Sequence, residues 1–228
     1  MRMPEHALAH RYLDGLDGIE IGGAAHNSFG LDTLNVDAWA PGTSVRSKYD
    51  QAQIELCGEA LPIDVVAAGH RLPFRDDAWE FVITSHVIEH FPDPIGALHE
   101  WARVASSYVF IICPQRDALE SDRSLPLTPV RELVERHRRP ATTTSATDEH
   151  HTRFTSSTFR RMCEIAGYQV VEIEDPDQKV GNGFAVVLDV SLPRWKVTTN
   201  TYRRRSAQAV RHVRHLAARR LAASAAPT

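Results

Sequence analysis

Apolar runs at 18–22, 31–37, 61–67, 79–84, 108–113, 169–175 and 184–190 are separated by polar, turn-forming stretches, and each run is short enough to be a buried strand. Between them, apolar positions recur at helical spacing over 4–14, 44–58, 93–104, 129–137 and 157–166. Pro4 at the start of the first of these, Gly58 after the second and Thr155 ahead of the last act as start and stop signals. Strands alternating with helices at this spacing predict an α/β fold with a doubly wound, mostly parallel sheet. The last two strands, joined across the turn at Gly181 and Gly183, are expected to be antiparallel neighbours that close one edge.

In such a sheet, ligands sit beyond the carboxyl ends of the strands, where strand order reverses. Four stretches fall at those ends: Glu20 to Gly23, Asp37, Gly69 to Leu72, and Ser85 to His90. The first run stops at Gly22 and Gly23, which lets backbone approach a ligand closely, and Asp37 follows Glu20 by seventeen residues at the tip of the next strand. An acid in that place commonly holds a ribose diol, so the pair predicts a nucleotide pocket. Only a turn or two of helix fits between Gly23 and Leu31, which leaves Asn27 either a ligand contact or a turn former.

The stretch 114–155 breaks the rhythm with prolines, a polar Thr and Ser-rich segment and one helix. A loop of that length inside a compact domain is usually functional, and its place after the fifth strand lets it fold over the rim as a cover. At 228 residues the chain has room for one core, taken here as a domain over 1–190 followed by a basic tail over 191–228 with an amphipathic helix at 206–221. The net charge is −3, yet nine Lys and Arg and no acid follow Asp189, so the preceding part carries a formal −12. Such a tail suits its own acidic body or a second subunit, which keeps a homodimer open. The core shows no basic face interleaved with aromatics, so nucleic acid is not expected. No run of eighteen apolar residues exists and the first residues lack an apolar stretch ahead of a cleavage site, so neither a membrane span nor secretion is expected, and the cytoplasm is the expected location. Cys57, Cys113 and Cys163 are scattered and odd in number, which fits reduced thiols.

The segment GHRLPFRDDAWEFVITSHVIEHFPDPIGALHEWARV resembles the class I S-adenosylmethionine-dependent methyltransferases, in which a Leu-Pro-Phe loop, an acidic-aromatic strand start and an Ile-Glu-His turn follow one another. The resemblance covers roughly residues 15–190 and implies a Rossmann-like seven-stranded sheet with S-adenosyl-L-methionine as cofactor. It also implies roles: Glu20, Gly22 and Gly23 back the methionine part, Asp37 binds the ribose hydroxyls, Gly69, His70 and Leu72 flank adenine, and Ser85 and His86 lie beside the amino-acid moiety. Two departures stand out: Ala68 replaces the acid common in the adenine loop, and Ala105-Ser106-Ser107 replaces a Pro-Gly-Gly turn. The opening motif, ESDRSLPLTPVRELVERH and TDEHHTRFTSSTFRRMCEIAGY further resemble a subgroup encoded for polysaccharide assembly. That likeness implies a sugar or oligosaccharide acceptor, and within the subgroup the 1-OH of a short methylated mannoside.

A sugar hydroxyl is a poor nucleophile until its proton leaves, so an O-methyltransferase wants a general base, usually histidine. His150 and His151 are the candidates, with Glu149 orienting the base or helping to hold a divalent ion such as Mg2+. Glu89 and His90 are either wall residues or partners of the acceptor, and Arg116, Asp122 and Arg123 in the cover suit hydrogen bonds to a polyol. His86, Glu89 and His90 also spell H-x-x-E-H, an inverted zinc-protease signature. That chemistry needs a helix, whereas Pro92 follows closely and the segment leaves a strand. Other readings of the same pocket are a non-sugar small molecule or lipid precursor as acceptor, or a non-catalytic cofactor-binding protein.

Overall fold

The computed structural model describes residues 6–23, 29–140 and 149–191. All of these lie in one compact unit, Met1–Ser191. Asn27 and the expected tail helix at 206–221 lie outside the described residues. The elements run α1 (Ala7–Leu13), β1 (Gly18–Ile21), β2 (Thr33–Asp37), α2 (Ser44–Cys57), β3 (Val65–Val66), β4 (Trp79–Ser85), α3 (Pro94–Val104), β5 (Ala105–Pro114), α4 (Val130–Arg138), α5 (Ser156–Ile165), β6 (Gln169–Glu174) and β7 (Gly183–Asp189), with a 3-10 turn at Ile88–His90.

The strands form one seven-stranded sheet in the order β3-β2-β1-β4-β5-β7-β6. Neighbours from β3 to β5 are parallel, and β7 runs antiparallel to both β5 and β6. The expected antiparallel pair closes this side, with the reversed strand β7 one place in and β6 outermost. Strand order reverses between β1 and β4, which places the ends of those two strands side by side.

Alternation within the strands sends side chains to two cores. Phe81, Ile83, Phe110 and Ile112 pack with Leu8, Ala9 and Leu13 of α1 on one face. Val82, Val109 and Ile111 pack with Leu98 and Trp101 of α3, Leu133 of α4 and Phe159 and Met162 of α5 on the other. Both faces of the central strands are therefore covered, as a parallel sheet requires. Burial at about 25 cal/mol per Å² of apolar surface makes these two layers the main stabilising term.

Local chemistry sets the helix ends. The Asp93 carboxylate caps α3 by accepting from Gly96 N at 2.9 Å, with Pro94 at the first helical position. Thr155 and Thr158 form a reciprocal capping box at the start of α5. Gly58, at φ +89, ends α2 by donating to Ile54 O at 2.8 Å.

Two strands differ in length from the apolar pattern. The run 61–67 pairs only at Val65–Val66, because Leu61 N donates to Gln53 Oε1 and Pro62 O accepts from Asn35 Nδ2, so side chains take the bonds a ladder would use. β5 starts at Ala105, ahead of the apolar run, and the Ala105-Ser106-Ser107 segment that replaces a turn is simply strand.

The turn between β6 and β7 is organised by Asp177, which is 2% exposed. Its carboxylate accepts from Lys179 N, Val180 N, Gly181 N and Gly183 N at 2.9, 2.8, 3.1 and 3.0 Å. Four amides on one carboxylate satisfy donors that the turn would otherwise bury unpaired. Asp177→Ala is expected to lower stability by about 3 kcal/mol in urea unfolding, since hydrogen bonds to a charged group contribute more than neutral ones. A loss under about 0.5 kcal/mol would mean that water replaces the carboxylate.

Candidate active site

β1 delivers Glu20 to the rim and then turns through Gly22 at φ +73. A Cβ on Gly22 would lie 2.6 Å from Val87 Cγ2, so this turn packs directly against the segment that follows β4. A Cβ on Gly23 would press on the Glu20 carboxylate at 3.0 Å. Buried Gln53 of α2 donates to Gly23 O at 3.1 Å and fixes the turn from behind. Burial pushes the Glu20 carboxyl up to about 7, offset in part by the Lys179 charge.

Asp37, at the tip of β2, is 3% exposed and already has partners. Its Oδ1 accepts from Trp39 N at 2.8 Å and its Oδ2 from Arg46 Nη1 at 2.8 Å. Arg46 reaches two further acceptors, with Nε on Asp50 at 2.6 Å and Nη2 on Leu61 O at 3.1 Å. A carboxylate offers about four lone-pair sites, so two remain for a diol. Arg46 and Gln53 were not visible as site residues in the sequence. They are polar positions buried on a helix with little apolar face, and only the i,i+4 spacing of Arg46 and Asp50 hints at the first.

The Gly69–Leu72 loop is held by α3. Trp101 Nε1 donates to Gly69 O at 2.8 Å, Leu72 N donates to Glu100 Oε1 at 2.7 Å, and the His70 ring stands edge-on to Phe91 with centroids 5.7 Å apart. A Cβ at Gly69 would lie 3.1 Å from Ile21 Cγ2, so this loop also abuts the end of β1. The turn at Glu20 to Gly23, the acid at Asp37 and this loop thus surround one place on the rim. The close glycine backbone, the buried carboxylates and the acid at the tip of β2 fit S-adenosylmethionine.

Beside it, β4 ends at Ser85 and the chain passes through His86 at φ +56, a conformation that a residue with a Cβ adopts at some cost. Residues 88–90 then form a single 3-10 turn, so the H-x-x-E-H segment is not the helix that a zinc protease needs. Glu89 is 1% exposed, neither carboxylate oxygen has a hydrogen-bond partner among the described residues, and burial pushes its carboxyl up to about 8.

The cover docks on this turn. His151 N and Thr152 N both donate to Glu89 O, at 2.9 and 3.1 Å. His150 is thereby carried to Glu89, with its Nε2 3.8 Å from Oε1, and its Nδ1 lies 2.6 Å from Asp122 Oδ2. His90 Nε2 lies 3.7 Å from the same Glu89 oxygen, while its Nδ1 donates to Glu149 O at 3.1 Å. His86 Nδ1 is 4.0 Å from it. The structure therefore joins His86, Glu89, His90, Asp122 and His150 in one cluster.

The remaining expected residues stand differently. Glu149 is exposed and meets the cluster through its main chain, and His151 is placed by its main chain on Glu89 and by Arg136 Nη1 on its carbonyl at 3.0 Å. Arg123 is exposed and paired with Glu120, and Arg116 donates to Arg123 O at 3.5 Å. Asp122, expected to meet a polyol, instead faces His150.

A nucleotide-type cradle beside a carboxylate and histidine cluster defines a cofactor-dependent transferase site. A family model described as a methyltransferase domain matches residues 14–173, and the chain belongs to that family, the class I S-adenosylmethionine-dependent methyltransferases. A search of curated proteins finds no match. Among solved structures, a SAM-dependent methyltransferase from Methanosarcina mazei is 12% identical, with 82% of this chain and 98% of that one covered and a TM-score of 0.52, which shows the shared fold. A SAM-dependent methyltransferase from Aquifex aeolicus is 15% identical, covers 82% and 94%, and has a TM-score of 0.44. A possible histamine N-methyltransferase from Thermotoga maritima is 15% identical, covers 80% and 91%, and has a TM-score of 0.45.

The raised Glu20 carboxyl has a pH consequence. Its stabilising contribution is that of the neutral acid, fully present below the ordinary carboxylate range and lost as pH rises through about 7. Glu20→Gln is therefore expected to gain on the wild type between about pH 5 and pH 8.5, by roughly 3 kcal/mol at the upper end, read as thermal unfolding of the cofactor-free proteins. A stability difference that stays flat across that range would contradict the burial assigned to Glu20.

Proposed function

We propose that the chain transfers a methyl group from S-adenosylmethionine to a sugar hydroxyl, with His150 as the general base. The 2.6 Å contact between His150 Nδ1 and Asp122 Oδ2 carries this reading. A carboxylate can only accept there, so Nδ1 holds the proton and Nε2 keeps its lone pair, the arrangement by which an acid orients a basic imidazole. Bound at the Glu20 to Gly23 turn, S-adenosylmethionine supplies an electrophilic methyl group. Val87 borders that turn and Glu89 lies 3.8 Å from His150, which supports a base beside the methyl donor's place.

His150 Nε2 takes the hydroxyl proton as the acceptor oxygen is methylated, and buried Asp122 stabilises the imidazolium that forms. Around Nε2 the side chains are polar, with Glu89, His90 and His86 supplying acceptors and donors for neighbouring hydroxyls of a polyol. That polar wall, together with the likeness of the cover to the polysaccharide subgroup, supports a sugar over an apolar acceptor, and the 1-OH of a short methylated mannoside is the particular case. This proton path runs without Mg2+, a hard cation that two imidazoles and one carboxylate serve poorly.

Labelled cofactor offered with short mannosides, glucosides, and non-sugar and lipid-precursor acceptors tests the substrate. Label is expected on a sugar, and label on non-sugars alone would sink the reading. His150→Ala and Asp122→Asn are expected to keep cofactor affinity by calorimetry while turnover falls by about 10²–10⁴-fold and by at least about tenfold. His151→Ala, which removes a side chain but not the main-chain tie to Glu89, is expected to keep most turnover. Full turnover in His150→Ala would remove the base.

A further inference from the structure

The geometry around Glu89 poses a question that the methyl-transfer reading leaves open. His90 Nδ1 gives its proton to the Glu149 carbonyl and His150 Nδ1 gives its proton to Asp122, which leaves both Nε2 atoms as lone pairs. Both lone pairs are aimed at Glu89 Oε1, at 3.7 and 3.8 Å, and that oxygen has no hydrogen-bond donor of its own. Three atoms able to ligate a metal thus converge, all within 4.8 Å of one another, and a cation among them would satisfy all three at once.

We propose that Glu89, His90 and His150 form a binding site for a transition-metal dication such as Zn2+, and that filling it switches the enzyme off. Ligand atoms at about 2.0–2.1 Å from a tetrahedral metal lie about 3.4 Å apart, close to the spacing seen before any ion draws them in. Two imidazoles and one carboxylate are a borderline-soft donor set that favours Zn2+ or Co2+ over Mg2+ or Ca2+. The outer partners are those that such sites use: Asp122 and the Glu149 carbonyl each hold an imidazole by Nδ1, fixing the tautomer that presents Nε2 to a metal. His150 Nε2 is also the lone pair assigned to proton removal, so an ion bound there occupies it. The inhibitory half of the proposal rests on that assignment, whereas the binding half does not.

The test uses the full chain, stripped of metal and titrated with Zn2+ by calorimetry and with Co2+ by its visible absorption. One ion per chain is expected, with Co2+ bands of tetrahedral intensity and no displacement by millimolar-scale Mg2+. Glu89→Gln, His90→Ala and His150→Ala should each weaken binding by at least about tenfold, and Asp122→Asn by about 10–100-fold through loss of the outer carboxylate. Thermal unfolding of each variant checks that the fold is retained. Zn2+ affinity that is unchanged in all four variants, or no binding to the wild type, would overturn the site. In the methylation assay, Zn2+ should suppress turnover and a chelator should restore it. Binding without suppression would keep the metal site and remove His150 as the base, and stimulation by Zn2+ would overturn the inhibitory role outright.

Discussion

The main-chain oxygen of Glu89 ties the returning end of the insertion to the turn that follows β4. It accepts from two successive amides of the returning chain, and no side chain is needed for either bond. From that tie follow the approach of His150 to Glu89, the seating of Asp122 behind His150 and the placing of the Glu149 carbonyl over His90. The tie exists because residues 88–90 make a 3-10 turn, which leaves a carbonyl free to face outward where a longer helix would consume it. Pro92, soon after the turn, keeps that helix from forming.

The rim gathers acids unevenly. Asp37 has Arg46 as a buried counter-charge, and truncating either partner would strand the other. Glu20 and Glu89 lack an equal cation and are held toward the neutral form by burial. An apolar residue in either place would fold more readily, so on the proposed function the free energy spent on them has its return in what they would meet, the methyl donor on one side and the imidazole pair on the other. On that proposal the rim has a cofactor half and an acceptor half, with Val87 at the seam.

Much of this was legible in the sequence. The strands, their alternation with helices and the four rim stretches come directly from apolar periodicity, because burial on both faces of a parallel sheet leaves continuous apolar runs. The glycine turn was legible for a different reason: a positive φ and close packing against Val87 demand a residue without a Cβ at a fixed place. What stayed hidden is whatever depends on tertiary approach. His150 and His151 are adjacent and chemically alike, and only the docking of the cover separates them, one by its ring and the other by its amide. Arg46, Gln53 and the pairing of Asp122 with His150 are likewise contacts between segments far apart in the chain. Arg123 read as a site residue because it lies in the cover and suits hydrogen bonds to a polyol, and its pairing with Glu120 is a contact that the sequence reading did not include.

Asp177 bears on how the sheet is assembled. The hairpin it organises is the only antiparallel one among the described residues, and it joins strands that are near in sequence, whereas β4 and β5 pair across α3 and β7 must find β5 across the whole insertion. Closing a short loop costs less entropy than closing a long one, so β6 and β7 can pair before their partners arrive. A preformed hairpin then offers β5 a ready edge. That edge lies where the two ends of the insertion meet, at the bridge between Gln115 and Phe154, so the hairpin also sets the span that the cover has to close.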